Sequence, residues 1–177
     1  TATIMQALDT TIANVALPHM QGALSASIDQ IAWVLTSYIV AAAICTPLVG
    51  FCAARFGRKR LFITAIIGFT IASALCGAAQ SLQEIVAARL LQGMFGAVFV
   101  PLSQAVLLDT WPRERHTSAM SWWGVGVIVG PIIGPTLGGF LTEYHSWRWV
   151  FYINAPIGLL AWLAVTVFLP ETPVDRE

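Results

Sequence analysis

The chain has 177 residues, of which 57% are hydrophobic and 10% are charged, and its formal net charge is zero. A soluble globular domain carries about 25% charged residues, so this composition excludes most soluble classes, disordered chains and nucleic-acid-binding proteins. A net charge of zero also gives no electrostatic reason to expect an acidic partner.

The few charged residues are placed so that long stretches contain none. Residues 30–54, 61–83, 90–108, 116–142 and 149–170 contain no Asp, Glu, Lys or Arg. Each stretch is about as long as the roughly 20 residues that a helix needs to cross a bilayer. With a more polar first span added, the sequence predicts six helices over residues 1–18, 31–53, 61–79, 85–108, 117–142 and 149–169. Because lipid cannot satisfy the edges of an open sheet, the predicted fold class is an all-α membrane protein.

The positions of the basic residues predict how the spans are oriented. One link holds Arg55, Arg58, Lys59 and Arg60. Arg113 and Arg115 follow span four, and Arg176 follows span six. Seven of the nine Lys and Arg residues therefore fall on one side, which the positive-inside rule assigns to the cytoplasm. We expect both termini to be cytoplasmic and the protein to lie in the inner cell membrane.

The first predicted span carries a carboxylate at membrane depth. Asp9 lies in the middle of this span, where insertion costs roughly 2.5–3.5 kcal/mol. On a helix that turns 100° per residue, the polar side chains form a stripe. The stripe comprises Gln6, Asp9, Thr10 and Asn14. It must face protein or a water-filled cavity, so the sequence leaves open a structural contact between helices and a role in handling substrate or ions.

The fourth predicted span carries a basic residue, Arg89, in its second turn. Polar and small residues continue on a similar arc, namely Gln92, Gly93, Gly96, Ser103 and Gln104. Because Glu84 is close in the chain, the guanidinium could extend to the outer interface. The continuing stripe instead favours a helix that faces a cavity, and both interpretations remain open at this point.

The fifth predicted span has a regular glycine pattern. Glycine recurs every four residues at Gly126, Gly130, Gly134 and Gly138. Small residues at this spacing form a face on which two helix backbones can approach closely. Pro131 and Pro135 each remove one backbone hydrogen bond from the same helix. The pattern is consistent with simple helix packing and with a helix that moves during a transport cycle.

Several of these stretches together resemble one family, the major facilitator superfamily. The stretches are LDTTIANVALP (8–18), GFCAARFGRKR (50–60), RLLQGMFGA (89–97), GPIIGPTLGG (130–139) and WRWVFYINAPIG (147–158). In this order they resemble the 14-helix drug:proton antiporters of the EmrB and QacA kind. The resemblance implies six helices that form one half of a major facilitator fold, arranged as two inverted three-helix repeats.

The resemblance also implies roles for individual residues. Arg89 would take part in proton coupling, and Asp9 and Asn14 would line the central substrate cavity. A cytoplasmic gate loop would comprise Gly50, Arg55, Gly57, Arg58 and Lys59. The antiporter helix would comprise Gly126, Gly130, Pro131, Gly134, Pro135, Gly138 and Gly139. Since spans one and four occupy equivalent positions in the two repeats, we expect Gln6, Gln92 and Gln104 to face the same cavity.

Arginine stays charged at physiological pH, so Arg89 cannot itself carry the proton. We expect it to control proton uptake by a nearby carboxylate, and Asp9 is the only carboxylate at clear membrane depth. One position departs from the family pattern, because Ala54 stands where Asp is common in the loop motif. Arg55 and Arg58 are therefore expected to find other partners, such as Asp109 or the carbonyl groups at a helix end.

The expected function is proton-coupled efflux of amphipathic or cationic drugs by alternating access. Its expected partners are a small-molecule substrate, protons and the lipid bilayer. Such transporters need two six-helix halves around a midplane site, so we expect this chain to be the N-terminal half of a longer protein and to need its C-terminal half.

Three other functions remain open on the sequence alone: a metabolite importer or facilitator, a membrane enzyme, and a membrane scaffold without transport. The Gly and Pro pattern of span five disfavours a facilitator, and the charges of Asp9 and Arg89 disfavour a scaffold. Neither a His-rich nor a paired-carboxylate motif at membrane depth supports an enzyme. The three Cys and three His residues have no metal-binding spacing, so we expect no metal, cofactor or nucleic acid.

Overall fold

A computed structural model of the protein describes residues 2–169, and six long helices account for most of them. The helices are α1 (Ala2–Ala23), α2 (Ile28–Phe56), α3 (Arg58–Ala78), α4 (Leu82–Thr110), α5 (Arg113–Tyr144) and α6 (Trp149–Phe168). The residues described contain no β-strand, and the connections between helices are short. The predicted all-α fold class is therefore confirmed. Arg176, which contributed to the predicted orientation, lies outside the described residues.

Two helices begin earlier than the apolar pattern predicts because polar side chains cap them. The Ser27 hydroxyl accepts the Gln30 backbone N–H, and the Gln30 side chain accepts the Ser27 N–H in return. At the start of α4, the Ser81 hydroxyl accepts the Glu84 N–H. The Glu84 carboxylate accepts the Gln80 N–H at 2.7 Å. These caps satisfy backbone donors that have no partner within the helix.

The segment predicted as a gate loop is mostly helical. Gly50 and Arg55 lie inside α2, and Arg58 and Lys59 form the first turn of α3. Gly57 alone connects the two helices, at φ 84° and ψ 143°, a backbone conformation that favours glycine. The predicted loop is therefore much shorter than expected, because only Gly57 lies outside the two helices. Basic side chains ended the charge-free stretch in the sequence, but long side chains can extend to the interface without ending a helix.

The first helix differs from the other five in its composition. By length and composition, α2 to α6 are each suited to crossing a membrane, whereas α1 is of similar length but more polar. Nine of its 22 residues are buried, among them Met5, Asp9 and Ile12. The polar side chains of α1 therefore have different surroundings, because Asp9 is buried in the bundle whereas Asn14 is exposed.

The six helices pack in pairs that agree with two inverted repeats. The first helix of one repeat packs along the second helix of the other, so α1 lies against α5 and α2 lies against α4. The third helices, α3 and α6, pack against each other. This arrangement places α1 and α4 at equivalent positions.

Two apolar clusters fill the bundle, one on either side of Asp9 along α1. One cluster contains Met5 and the ring of Phe99, whose centroid lies 5.1 Å from that of Phe69. The other contains Ile12 and Phe151. The region between them is where the buried charges of the bundle lie.

Candidate buried ion-pair site

The bundle brings together the two charged residues that the sequence placed at membrane depth. The Arg89 Nη1 atom lies 2.6 Å from the Asp9 Oδ2 atom, and this contact joins α4 to α1. Asp9 is 1% exposed and Arg89 is 0% exposed. Arg89 therefore does not extend to the interface, and that interpretation of the sequence was wrong.

Amide side chains complete the environment of the carboxylate. Gln92 Nε2 and Asn154 Nδ2 donate to the Asp9 Oδ1 atom at 2.9 and 2.7 Å. Together with Arg89, they give Asp9 three donors, from α4 and α6. An ionised carboxylate only accepts hydrogen bonds, so three donors match the bonding capacity of that form.

The guanidinium is held by further contacts from α2 and α4. Its Nε atom donates to the Val34 carbonyl oxygen at 3.0 Å, and its Nη1 atom also donates to Gln92 Oε1 at 2.8 Å. The Tyr38 ring lies 4.5 Å from the guanidinium carbon, within the range of a cation–π contact. Because the guanidinium is planar, these directions could not all be met by the single ammonium of a lysine.

The site extends to α3 through a buried serine. Asn154 Nδ2 also donates to Ser73 Oγ at 2.8 Å, and the Ser73 hydroxyl donates to the Phe151 carbonyl oxygen at 2.8 Å. Five helices, α1, α2, α3, α4 and α6, therefore contribute to one polar network around Asp9 and Arg89.

Because the ion pair is buried, the loss of either charge is expected to be costly. Removing one partner of a buried ion pair leaves an uncompensated charge and costs roughly 3–5 kcal/mol, whereas replacing both partners by apolar groups is often tolerated. The pair can therefore hold α1 against α4 only while both residues are charged. A proton on Asp9 would weaken the same contact.

The residues expected to line a cavity do not share one surface. Asp9 and Gln92 are enclosed in the network, whereas Gln6 and Gln104 are half-buried. Asn14 is exposed, and its side chain donates to the Thr10 carbonyl oxygen at 2.9 Å. At 100° per residue, Asp9 and Asn14 differ by about 140° and lie at opposite edges of a broad stripe. A role for any of them in binding substrate stays a prediction.

Three members of the network were not identified from the sequence: Tyr38, Ser73 and Asn154. Each is a buried polar residue within a predicted span that contains no charge. A search for isolated Asn, Ser and Tyr residues in apolar spans would have found them, but only as candidates. Asn154 also lies in one of the stretches that carried the family resemblance.

The predicted glycine face of α5 packs against α1, which confirms the expected close contact. A Cβ atom placed on Gly130 would lie 2.5 Å from the Ala7 Cβ atom, and one on Gly134 would lie 2.7 Å from the Thr11 Cβ atom. Gly138 is similarly close to Ile12, at 3.1 Å from its Cγ2 atom. Real Cβ atoms essentially never lie within 3.0 Å of such neighbours, so side chains at Gly130 and Gly134 would push the helices apart.

The remaining residues predicted for this helix do not take part in the close contact between α5 and α1. Gly126 faces Ile4 at an ordinary 3.8 Å, and Gly139 has open space where a Cβ atom would be. Pro131 and Pro135 are exposed, and α5 remains helical through both. The four-residue spacing therefore identified the packing face, with Gly130 and Gly134 at its centre.

Near the turn between α2 and α3, two of the basic residues, Arg58 and Lys59, contact other helices. Arg58 Nη1 forms an ion pair with Asp109 Oδ2 at the end of α4, as expected from the absence of a carboxylate at Ala54. Lys59 Nζ donates to the Thr166 carbonyl oxygen at 3.2 Å, in the last turn of α6. These contacts connect the start of α3 to the ends of two helices. A gating role for them stays a prediction.

Comparisons with known proteins agree with this architecture. The chain is 46% identical over 176 residues to the multidrug export protein EmrB of Escherichia coli (strain K12), covering 99% of this chain and 34% of EmrB. It is 46% identical over 163 residues to the fatty acid resistance protein FarB of Neisseria gonorrhoeae, covering 92% of this chain and 32% of FarB. The chain therefore spans about a third of the length of these curated relatives.

Solved structures show the same fold at low sequence identity. The partially occluded, inward-open xylose transporter XylE from E. coli superposes with a TM-score of 0.87 and 16% identity, covering 97% of this chain and 48% of that one. A bacterial homologue of the human lysosomal transporter Spinster gives a TM-score of 0.83 and 21% identity, covering 98% of this chain and 42% of that one. The profile of the Major Facilitator Superfamily matches residues 1–177. The chain therefore belongs to the Major Facilitator Superfamily and has the helical fold of one half of such a transporter.

Proposed function

We propose that this chain is the N-terminal half of a transporter that exports amphipathic small molecules in exchange for protons. The transporter would lie in the cytoplasmic membrane, with both termini of this segment in the cytoplasm. The names of its relatives support export of drugs or fatty acids, since those relatives are called multidrug export and fatty acid resistance proteins. The other half, protons and the bilayer would be its partners.

The observation that carries the proposal is the buried ion pair of Asp9 and Arg89. In the structure, the Asp9 carboxyl group accepts from Arg89, which comes from a helix of the other repeat. Alternating access would move α1 relative to α4 and separate the pair. An uncompensated buried carboxylate is costly, so Asp9 would then bind a proton and release it when Arg89 returns.

The same geometry revises the expected substrate. The charge of Asp9 is already compensated by Arg89, and Asp9 is enclosed in the bundle. It therefore offers no free negative charge to a cationic drug in this state. We propose that amphipathic character, and not positive charge, defines the substrate class, in keeping with a relative named for resistance to fatty acids.

The proposal can be tested with vesicles that contain the full-length protein. We expect drug-dependent proton flux, and we expect Arg89→Ala to abolish efflux against a gradient while drug binding remains measurable. Arg89→Lys should fold and keep the buried charge but restore only part of the coupling, because an ammonium lacks the planar donor geometry. Arg115→Ala, which changes an exposed arginine, is the matched control and should transport normally.

Normal uphill efflux by Arg89→Ala would contradict the coupling role. Equal export of cationic and anionic amphipathic compounds would support the revised substrate class, whereas strict selectivity for cations would contradict it.

A further inference from the structure

The side-chain carbonyl of Asn154 has no hydrogen-bond partner, although the residue is fully buried beside Asp9. Its Nδ2 atom donates to both Asp9 Oδ1 and Ser73 Oγ. Nearly all buried polar atoms in folded proteins are paired, so an unpaired carbonyl oxygen at this position is unusual. The Asn154 Oδ1 atom is an acceptor held close to a carboxylate that the proposed function requires to bind a proton.

The charge of Asp9 fixes the orientation of this amide. If the amide turned over, its Oδ1 atom would face the Asp9 Oδ1 atom, and two acceptors would repel each other. While Asp9 is ionised, the only favourable orientation directs Nδ2 to Asp9 and leaves the carbonyl unpaired. The unpaired atom is therefore a consequence of the charge on Asp9.

A proton on Asp9 would reverse this preference. The new O–H group would need an acceptor, but the carboxyl group is surrounded by donors from Arg89, Gln92 and Asn154. The Gln92 Oε1 atom already accepts from Arg89 Nη1 at 2.8 Å. The Asn154 Oδ1 atom is the unoccupied acceptor within this group, and turning the amide would present it to the protonated Asp9.

The turned amide would also change the hydrogen bond of Ser73. In the state described, the single hydroxyl hydrogen of Ser73 is donated to the Phe151 carbonyl oxygen, and its oxygen accepts from Asn154. A turned amide presents a carbonyl to Ser73, so the hydroxyl would rotate to donate to it and leave Phe151. Phe151 lies in the helical segment Trp149–Tyr152, two residues before Ile153, which separates that segment from Asn154–Phe168 and forms a break in α6.

We propose that Asn154 is a positioning residue that responds to protonation of Asp9 and transmits it through Ser73 to the break in α6. This inference rests on the proposed function and specifies how α3 and α6 respond when Asp9 binds a proton. In the described part of the chain, the titratable groups around Asp9 are Arg89 on α4, Tyr38 on α2 and Cys76 on α3. Asn154, from α6, is uncharged.

Infrared difference spectroscopy of the full-length protein at stepped pH tests the proposal. The band of the protonated Asp9 carboxyl group is identified by its loss in Asp9→Asn. In the wild type it should lie at the lower frequency of a carboxyl group whose O–H is hydrogen-bonded. Asn154→Leu should move it to the higher frequency of a free carboxyl group, and Thr142→Val, a buried polar control that bonds only within α5, should not move it.

The outcomes separate this proposal from the function on which it rests. An Asp9 band that does not shift in Asn154→Leu would overturn the role of Asn154 and leave the proton site intact. Absence of any band that is lost in Asp9→Asn would overturn both the role of Asn154 and Asp9 as the proton site.

Hydrogen exchange provides a measurement that does not depend on the folding of Asn154→Leu. After normalisation to peptides from α2, exchange at residues 151–154 of the wild type should rise when Asp9 becomes protonated. Ser73→Ala should show the raised exchange at every pH, because the bond to the Phe151 carbonyl is permanently absent. Exchange in the wild type that does not change between the two states would overturn the transmission to α6.

Discussion

The two sides of α1 are held by different kinds of contact. On one side, Asp9 is joined to Arg89 and Asn154 by short, fully buried hydrogen bonds. On the other side, Ala7 and Thr11 pack directly against glycines of α5. The first contact depends on charge, so we expect a proton on Asp9 to weaken it. The second depends on shape and involves no titratable group, so under the proposed function α1 would change its contact with α4 while its contact with α5 persists.

The largest effect is expected from removing one charge of the buried pair. Arg89→Met should lower the free energy of unfolding by roughly 3–5 kcal/mol, because the Asp9 carboxylate is left buried without its cation. The double variant Asp9→Leu with Arg89→Met should recover much of this loss, because neither charge remains. Denaturation of the full-length protein in detergent measures both values. A double variant as unstable as the single one would show that packing, and not charge, dominates this side of α1.

The next largest effect is expected on the glycine side. Gly134→Leu should cost roughly 1–3 kcal/mol, because its side chain would meet Thr11 and force α5 away from α1. Gly139→Leu is the matched control, since the space beside it is open. The same denaturation experiment compares them, and equal destabilisation by both would remove the argument from close packing.

A smaller effect is expected from the exposed ion pair of Arg58 and Asp109, which has the same chemistry as the buried pair. Its side chains are 38% and 60% exposed, so water and salt weaken the attraction. Asp109→Asn should cost only about 0.2–1 kcal/mol, less at high salt. A loss as large as that of Arg89→Met would mean that burial does not distinguish the two ion pairs.

The smallest effect is expected at Ala54, which is exposed on α2. Because Arg58 already pairs with Asp109, Ala54→Asp should leave export by the full-length protein active, with stability changed by less than about 1 kcal/mol. Transport assays in vesicles check this expectation. If Ala54→Asp were required for any export, the family carboxylate could not be replaced by Asp109.

Much of the fold was predictable because the signals are local. Stretches without charge identified α2 to α6, and a four-residue glycine repeat identified the face that α5 turns to α1. Asp9 and Arg89 could be singled out because a charge at membrane depth is costly wherever it lies. The ends of the helices were less predictable, because caps such as Ser27 and the single connecting residue Gly57 do not alter the apolar pattern.

The composition of the site was not predictable in the same way. Whether Asp9 or Asn14 faces the interior depends on how α1 is rotated against its neighbours, and a stripe of polar residues leaves that rotation open. Asn154 lies 145 residues from Asp9 in the chain, so only the packing of α6 against α1 brings them together. Neutral polar residues such as Ser73 also carry no insertion penalty large enough to mark them in a sequence.

Release of protons on substrate binding is the most direct test of the account. When an amphipathic substrate is added to the purified full-length protein in weakly buffered solution, a pH-sensitive dye should report proton release. Asp9→Asn should bind the substrate without releasing protons, and Glu143→Gln, which changes an exposed carboxylate on α5, should behave as the wild type. Proton release by Asp9→Asn equal to that of the wild type would contradict the account, because the buried carboxylate would then not be the group that exchanges the proton.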